Sequence, residues 1–273
     1  MVRGHVVTPI LEVAAAGTTH QGNFRDHNED DYLARRPVFL VADGLGGHAS
    51  GEVASRRVVE AFEPLTDRDW VTAEDVLASV SRASESVRAL ASGDRAPGST
   101  VTGVALSDQG GVPCWLVFNI GDSRTYLLHG ERLEQLTVDH SGIRQRGGTA
   151  PPRNIVTRAI GAGVDRPPMA DQWLVPAVEG QRLLLCSDGL TNELTELLIQ
   201  AHLMSDPDPQ VVADRLVEAA LAASGRDNVT AVVVDAVIVR SDAPASDDSG
   251  DTLPDTTESD PHGFAVADPA PIT

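Results

Sequence analysis

The sequence contains no lysine; all 21 of its basic residues are arginine. That excludes a lysine Schiff base, a phosphate-loop lysine and a lysine general base together. Positive charge is scarce altogether, with 21 basic residues against 40 acidic ones, a formal charge of −19 and an isoelectric point near 4.6. So acidic a chain cannot neutralise a phosphate backbone or an anionic bilayer, which argues against nucleic acid or a membrane as partner. Cysteine occurs only twice, as Cys114 and Cys186, each inside an apolar run. Buried free thiols in a reducing compartment are expected there, not a disulfide. Aromatic residues make up 4%, and Trp70, Trp115 and Trp173 read as packing residues. No run approaches the roughly eighteen apolar residues of a spanning helix. The first twenty residues, interrupted by Pro9 and Glu12, make a poor signal peptide. A cytoplasmic protein is expected.

Hydrophobic residues are 41% of the chain, enough for a sizeable core. Composition changes after Arg240: residues 241–273 hold eight acidic residues, no arginine, and mostly Pro, Ser, Thr, Asp and Ala. A segment like this cannot offset the entropy of ordering, so a folded domain over 1–240 and an acidic disordered tail over 241–273 are expected. Val38–Ala42, Cys114–Phe118, Leu183–Cys186 and Val229–Val234 are short and apolar on both faces, as central strands would be. Helical spacing covers Gly51–Phe62, Thr72–Leu90, Thr191–Met204 and Pro209–Ala223, the last preceded by Asp208 as an N-cap. Close-set strands at 101–107, 114–119, 124–128 and 132–136 predict hairpins, so a layered, mainly antiparallel α+β domain is favoured over a doubly wound sheet.

Apolar strands repeatedly end in aspartate: Ala42-Asp43-Gly44, Ile120-Gly121-Asp122 and Ser187-Asp188-Gly189, with Arg226-Asp227-Asn228 before the last strand and Glu29-Asp30 before an early one. Any one of these is explained by turn chemistry. If the strand ends share a rim, however, five carboxylate segments converge, and like charges so placed are partly neutralised unless a cation sits among them. Oxygen ligands without a His or Cys cluster select Mg²⁺ or Mn²⁺. Two such ions about 3.5–4 Å apart make a hydrolytic site for phosphate esters.

The segments Gly22-Asn23-Phe24-Arg25-Asp26-His27-Asn28-Glu29-Asp30, Ala42-Asp43-Gly44-Leu45-Gly46-Gly47-His48, Gly51-Glu52-Val53-Ala54-Ser55, Gly98-Ser99-Thr100, Asn119-Ile120-Gly121-Asp122-Ser123-Arg124, Asp139-His140-Ser141, Asn154 through Gly161, Cys186-Ser187-Asp188-Gly189 and Arg226-Asp227-Asn228-Val229-Thr230 follow in order. Together they resemble the metal-dependent serine/threonine protein phosphatases, the type 2C or PPM family, in its bacterial form. The resemblance implies two packed, mainly antiparallel sheets flanked by helices on both outer faces, with the metal site at one rim. It implies Asp43 as the carboxylate bridging two Mn²⁺ or Mg²⁺ ions and the Gly44 carbonyl as a ligand of the second. Asp188 and Asp227 then belong to the first ion, Glu29 and Asp30 hold metal-bound waters, and Asp122 with Asp188 forms a third, weaker site. Arg25 resembles the arginine that grips the substrate phosphate. His48 is the expected proton donor to the leaving alkoxide.

Arg124 is expected to orient Asp122, while Asp139 and His140 read as structural. The stretch Gly142 to Arg153 is shorter than the insert most bacterial members carry there; its Arg144, Arg146 and Arg153 are candidates to meet a phosphopeptide. Phosphorylated proteins, including a Ser/Thr kinase, are the expected partners of a monomeric enzyme. Ser246, Ser249, Thr252, Thr256, Thr257 and Ser259 are candidate phosphorylation sites. A catalytically dispensable regulatory module is the alternative, disfavoured because Asp43, Asp188 and Asp227 are all present. An aspartyl-phosphate mechanism is excluded because position 41, where its second aspartate pair member would stand, is valine.

Overall fold

The structure, a computed structural model, describes residues 8–46, 49–91, 96–142, 156–163 and 166–242. His48, the expected tail from residue 243 onward, and Arg144, Arg146 and Arg153 lie outside the described residues. In chain order the elements are β1 (Ile10–His20), β2 (Asp30–Arg35), β3 (Val38–Leu45), α1 (Ala49–Phe62), α2 (Ala73–Arg88), β4 (Gly98–Ser99), β5 (Val101–Asp108), β6 (Pro113–Ile120) and β7 (Arg124–His129). There follow β8 (Arg132–Gln135), β9 (Ile160–Gly161), β10 (Asp171–Pro176), β11 (Arg182–Cys186), α3 (Asp188–Thr191), α4 (Glu196–Leu203), α5 (Pro209–Ala223) and β12 (Val229–Arg240).

The strands form two sheets, a five-stranded one ordered β1-β12-β11-β7-β8 and a seven-stranded one ordered β10-β6-β5-β3-β4-β9 with β2 on β3. Every pairing is antiparallel. Apolarity on both faces of the central strands has a direct cause: each is covered twice. In β3, Phe39 and Val41 meet Leu183, Leu185 and Val232 of the other sheet, while Val38, Leu40 and Ala42 pack under α1 and α2. In β12, Val232 and Val234 face the sheet–sheet core, and Val229, Ala231 and Val233 pack under α4 and α5. Alternation with period two therefore builds three apolar layers in an α-β-β-α sandwich, the fold class expected.

Helix starts follow local chemistry. Thr72 and Asp75 form a reciprocal capping box on α2, and the Asp208 side chain accepts from the Gln210 N–H ahead of α5, with Pro209 in the first turn. Of the helix expected over Thr191–Met204, Glu196–Leu203 forms as α4, while Thr191 ends the short α3. Thr195 caps the start of α4, its hydroxyl accepting from Leu198 N–H at 3.4 Å, and Glu193 in the preceding turn accepts from the Ser224 hydroxyl at 2.6 Å. Both cysteines are buried free thiols. At the far end of the five-stranded sheet, the buried Arg182 side chain pairs with both Asp235 oxygens at 2.6 and 2.7 Å and donates to the carbonyls of Leu203, Asp206 and Pro207. All five donors of the guanidinium are thereby used, tying the α4–α5 connection to the sheet.

Candidate metal centre

The carboxylates singled out in the sequence come together at one rim of the sandwich. Asp43 lies near the end of β3, Asp122 in the β6–β7 turn, Asp188 at the first residue of α3, Asp227 just ahead of β12, and Glu29 just ahead of β2. With Arg25, Gly44, Leu45, Gly46, Val156 and Asn228 they line a cavity of about 250 Å³. Asp30 stands one step behind the wall, buried and opposite Asp43 in the β2–β3 register. Residues far apart in the chain thus face one pocket: Arg25 Nη2 lies 2.6 Å from Asp227 Oδ2, 202 positions away.

Backbone packing fixes this convergence. Gly44 has no room for a side chain, since a Cβ there would lie 2.2 Å from the Gly51 carbonyl oxygen and 2.6 Å from that of Glu29. At Gly189 a Cβ would lie 1.9 Å from the Asn228 carbonyl oxygen. Glycine after Asp43 and after Asp188 is therefore what lets neighbouring loops touch. The Thr100 hydroxyl accepts from Asp43 N–H at 3.0 Å, and Thr100 N–H donates to the Asp43 carbonyl at 2.8 Å. Asn228 acts as a clamp. Its amide nitrogen donates to the carbonyls of Gln21 and His27, both at 2.8 Å, and its amide oxygen accepts from Glu29 N–H at 2.9 Å. Asn228 holds the loop that carries Arg25. The sequence places it beside Asp227, but only cross-chain geometry shows this work.

Arg124 departs from expectation. Its guanidinium is taken by Asp139 in three hydrogen bonds of 2.7–3.1 Å rather than by Asp122. His140 ties the Asp122 turn to β10: its Nδ1 accepts from Gly121 N–H at 3.0 Å, and its Nε2 lies 3.0 Å from Asp171 Oδ2.

Burial dominates the electrostatics. Desolvation and then the charges of Asp30, Asp188, Asp227 and Asp122 hold the Asp43 carboxyl well above the usual carboxylate range. Desolvation likewise raises Asp30 to about 7, against hydroxyl hydrogen bonds from Thr230 and Ser187, and raises Asp188 to about 6, aided by Asp122 and Asp227. Among the described residues no three acidic, His or Cys side chains close tightly on one point; they ring the cavity at a distance, as mutual repulsion dictates. The donor set nevertheless fits divalent ions. It is all oxygen, strongly anionic and free of His and Cys, which suits Mg²⁺ or Mn²⁺.

The same shifts set a pH dependence. Folded-state values above the unfolded value of 3.8 give a contribution complete below that value and lost as pH rises through about 6 for Asp188 and about 7 for Asp30. In chelator, the melting temperature is expected to fall as pH rises from about 5 to about 8. Calorimetric melts across that range check this; a melting temperature that climbs throughout contradicts it.

Comparison with known proteins agrees with this geometry. Residues 16–205 match the family described as Protein phosphatase 2C. The chain belongs to that family. It is 32% identical over 253 residues to the serine/threonine phosphatase stp of Listeria innocua serovar 6a, an alignment covering 84% of this chain and 98% of that protein. The catalytic domain of the serine/threonine phosphatase PstP, solved with two manganese ions, superposes with a TM-score of 0.70 at 32% identity, covering 84% of this chain and all of that one. The PPM Ser-Thr phosphatase MsPP from Mycobacterium smegmatis, solved with cacodylate, gives a TM-score of 0.70 at 34% identity, with 84% and 99% covered. The chain is accordingly a metal-dependent serine/threonine phosphoprotein phosphatase.

Proposed function

We propose that the cavity hydrolyses phosphoserine and phosphothreonine in proteins with two Mn²⁺ or Mg²⁺ ions, which Asp43 would share, with Asp188 and Asp227 as further carboxylate ligands and the Gly44 carbonyl as another. Glu29 and Asp30 hold the ions' waters, and Asp122 with Asp188 offers a third, weaker position. When bound, the ions supply a water whose pKa is lowered to about 7 as nucleophile. The chain's own residues do the rest. Arg25, exposed at the cavity mouth, can grip two phosphate oxygens with one planar fork. His48, five residues after Asp43, is assigned as donor to the departing alkoxide. The observation that carries the reading is the gathering of Glu29, Asp43, Asp122, Asp188 and Asp227 around one cavity with Arg25 at its edge.

Residues 1–240 are taken as the phosphatase domain and 241–273 as an acidic tail. We assign the protein to the cytoplasm as a monomeric signalling enzyme that acts on phosphoproteins, a Ser/Thr kinase among them. Supporting this, no helix among the described residues is long and apolar enough to cross a membrane, and both thiols are free. The test is hydrolysis of a phosphothreonine peptide with Mn²⁺. Arg25→Ala should lower kcat/KM roughly 10–100-fold, the loss of a charge-assisted hydrogen bond of about 1.5–3 kcal/mol, with Mn²⁺ affinity retained. A wild-type protein inert with Mn²⁺ sinks the reading.

A further inference from the structure

Asp30 closes a ring of hydrogen bonds whose direction is set at each link when its carboxylate is ionised. Its own N–H donates to Asn28 Oδ1 at 3.2 Å, which orients the Asn28 amide, and Asn28 Nδ2 donates to Thr19 Oγ1 at 2.8 Å. Thr19 Oγ1 lies 2.7 Å from Thr230 Oγ1, and Thr230 Oγ1 donates to Asp30 Oδ2 at 2.7 Å. Each hydroxyl has one proton. An ionised carboxylate only accepts, so Thr230 spends its proton on Asp30 and must accept from Thr19, which in turn accepts from the amide. Thr19 and Thr230 sit directly opposite each other on β1 and β12, so the ring spans two strands and the loop ahead of β2. Ser187 supports it, its hydroxyl accepting from Thr230 N–H at 3.0 Å while also bonding Asp30. Thr230, Ser187 and Asp30 are all buried.

On β12 the Thr230 hydroxyl stands among the buried apolar residues Val229, Ala231 and Val232. We propose that Thr230 is a positioning residue for the divalent-ion site, acting through Asp30. The ring fixes the Asp30 carboxylate toward the ions, and Thr19 and Asn28 hold Thr230 in the one rotamer that does so. This rests on the reading of Asp30 given above. Partners of direct metal ligands typically govern about 10–100-fold in metal affinity; Asp30 holds the ions through their waters, so the low end of that range is expected for Thr230.

Mn²⁺ titration calorimetry on the intact chain tests it. Thr230→Val keeps the shape and removes the hydroxyl; it should weaken Mn²⁺ binding about tenfold or more. Thr230→Ser restores the hydroxyl and should bind within about threefold of wild type, a rescue that a merely space-filling role does not give. Thr19→Val, at the exposed end of the ring, should weaken binding by about threefold and serves if Thr230→Val does not fold. Wild-type affinity in Thr230→Val, or Thr230→Ser as weak as Thr230→Val, overturns the proposal; if Thr230→Val is unfolded, unchanged affinity in Thr19→Val does so. Failure of the parent reading has a separate signature, no heat of Mn²⁺ binding in wild type, and removes this inference with it.

Discussion

Asp43→Asn should lower kcat at least about a thousandfold while raising the melting temperature of the metal-free protein. The two effects share one cause. Asp43 is held well above its usual pKa by desolvation first and by four neighbouring carboxylates next, so its charge costs stability in the folded state. Asparagine keeps the shape and one acceptor oxygen and removes that charge. The same charge is what would hold two cations together, and a clamp of that kind is worth several kcal/mol in the transition state. A thousandfold corresponds to about 4 kcal/mol at 1.36 kcal/mol per decade. Phosphopeptide kinetics with saturating Mn²⁺ and melts in chelator measure both halves. Retained turnover would show that the chemistry lies elsewhere, and a lower melting temperature would show that Asp43 is not under like-charge strain. Such opposition between stability and activity is common at functional sites.

Arg182→Ala should do the reverse. The guanidinium is buried with Asp235 and three carbonyls as its acceptors. Truncation leaves the half-buried Asp235 without its cation and three carbonyls without their donor, which costs up to about 3–5 kcal/mol, or up to about 6–20 °C at roughly 2–4 °C per kcal/mol for a domain this size. Asp235 lies six residues along β12 from Val229, about 20 Å at 3.3 Å per residue. At 25 °C kcat/KM should therefore match wild type, since distant sites act independently. Thermal melts and steady-state kinetics on one preparation decide it; a melting temperature within about 2 °C of wild type removes the anchoring role.

The two residues show where the sequence speaks and where it is silent. The sheets were legible because the central strands are covered on both faces and must be apolar throughout, as Val38–Ala42 and Val229–Val234 are. Aspartate at the ends of such strands is visible without coordinates, and these carboxylates do share a rim. By contrast β1, with Ala14-Ala15-Ala16-Gly17 at its middle, carries little strand propensity. It becomes a strand because β12 offers a partner from Val229 to Arg240, with one irregularity between Glu12 and Val13. The Glu193–Ser224 contact beside the α3–α4 turn joins residues 31 apart, and the Arg124–Asp139 pair depends on a turn returning beside β7. Asn228 and Thr230 were visible only as parts of a motif. Their partners lie about 200 residues away in the chain, and such pairings arise from tertiary geometry, beyond the reach of local pattern.

The central claim is that acidic side chains from distant strand ends grip a pair of divalent cations in one cavity. Calorimetric titration of the full chain with Mn²⁺, wild type beside Asp43→Asn, addresses it most directly. Two ions bound per wild-type chain, and a variant that loses high-affinity binding while remaining folded, is the predicted result. Identical isotherms for the two proteins, or no heat from wild type, would contradict it.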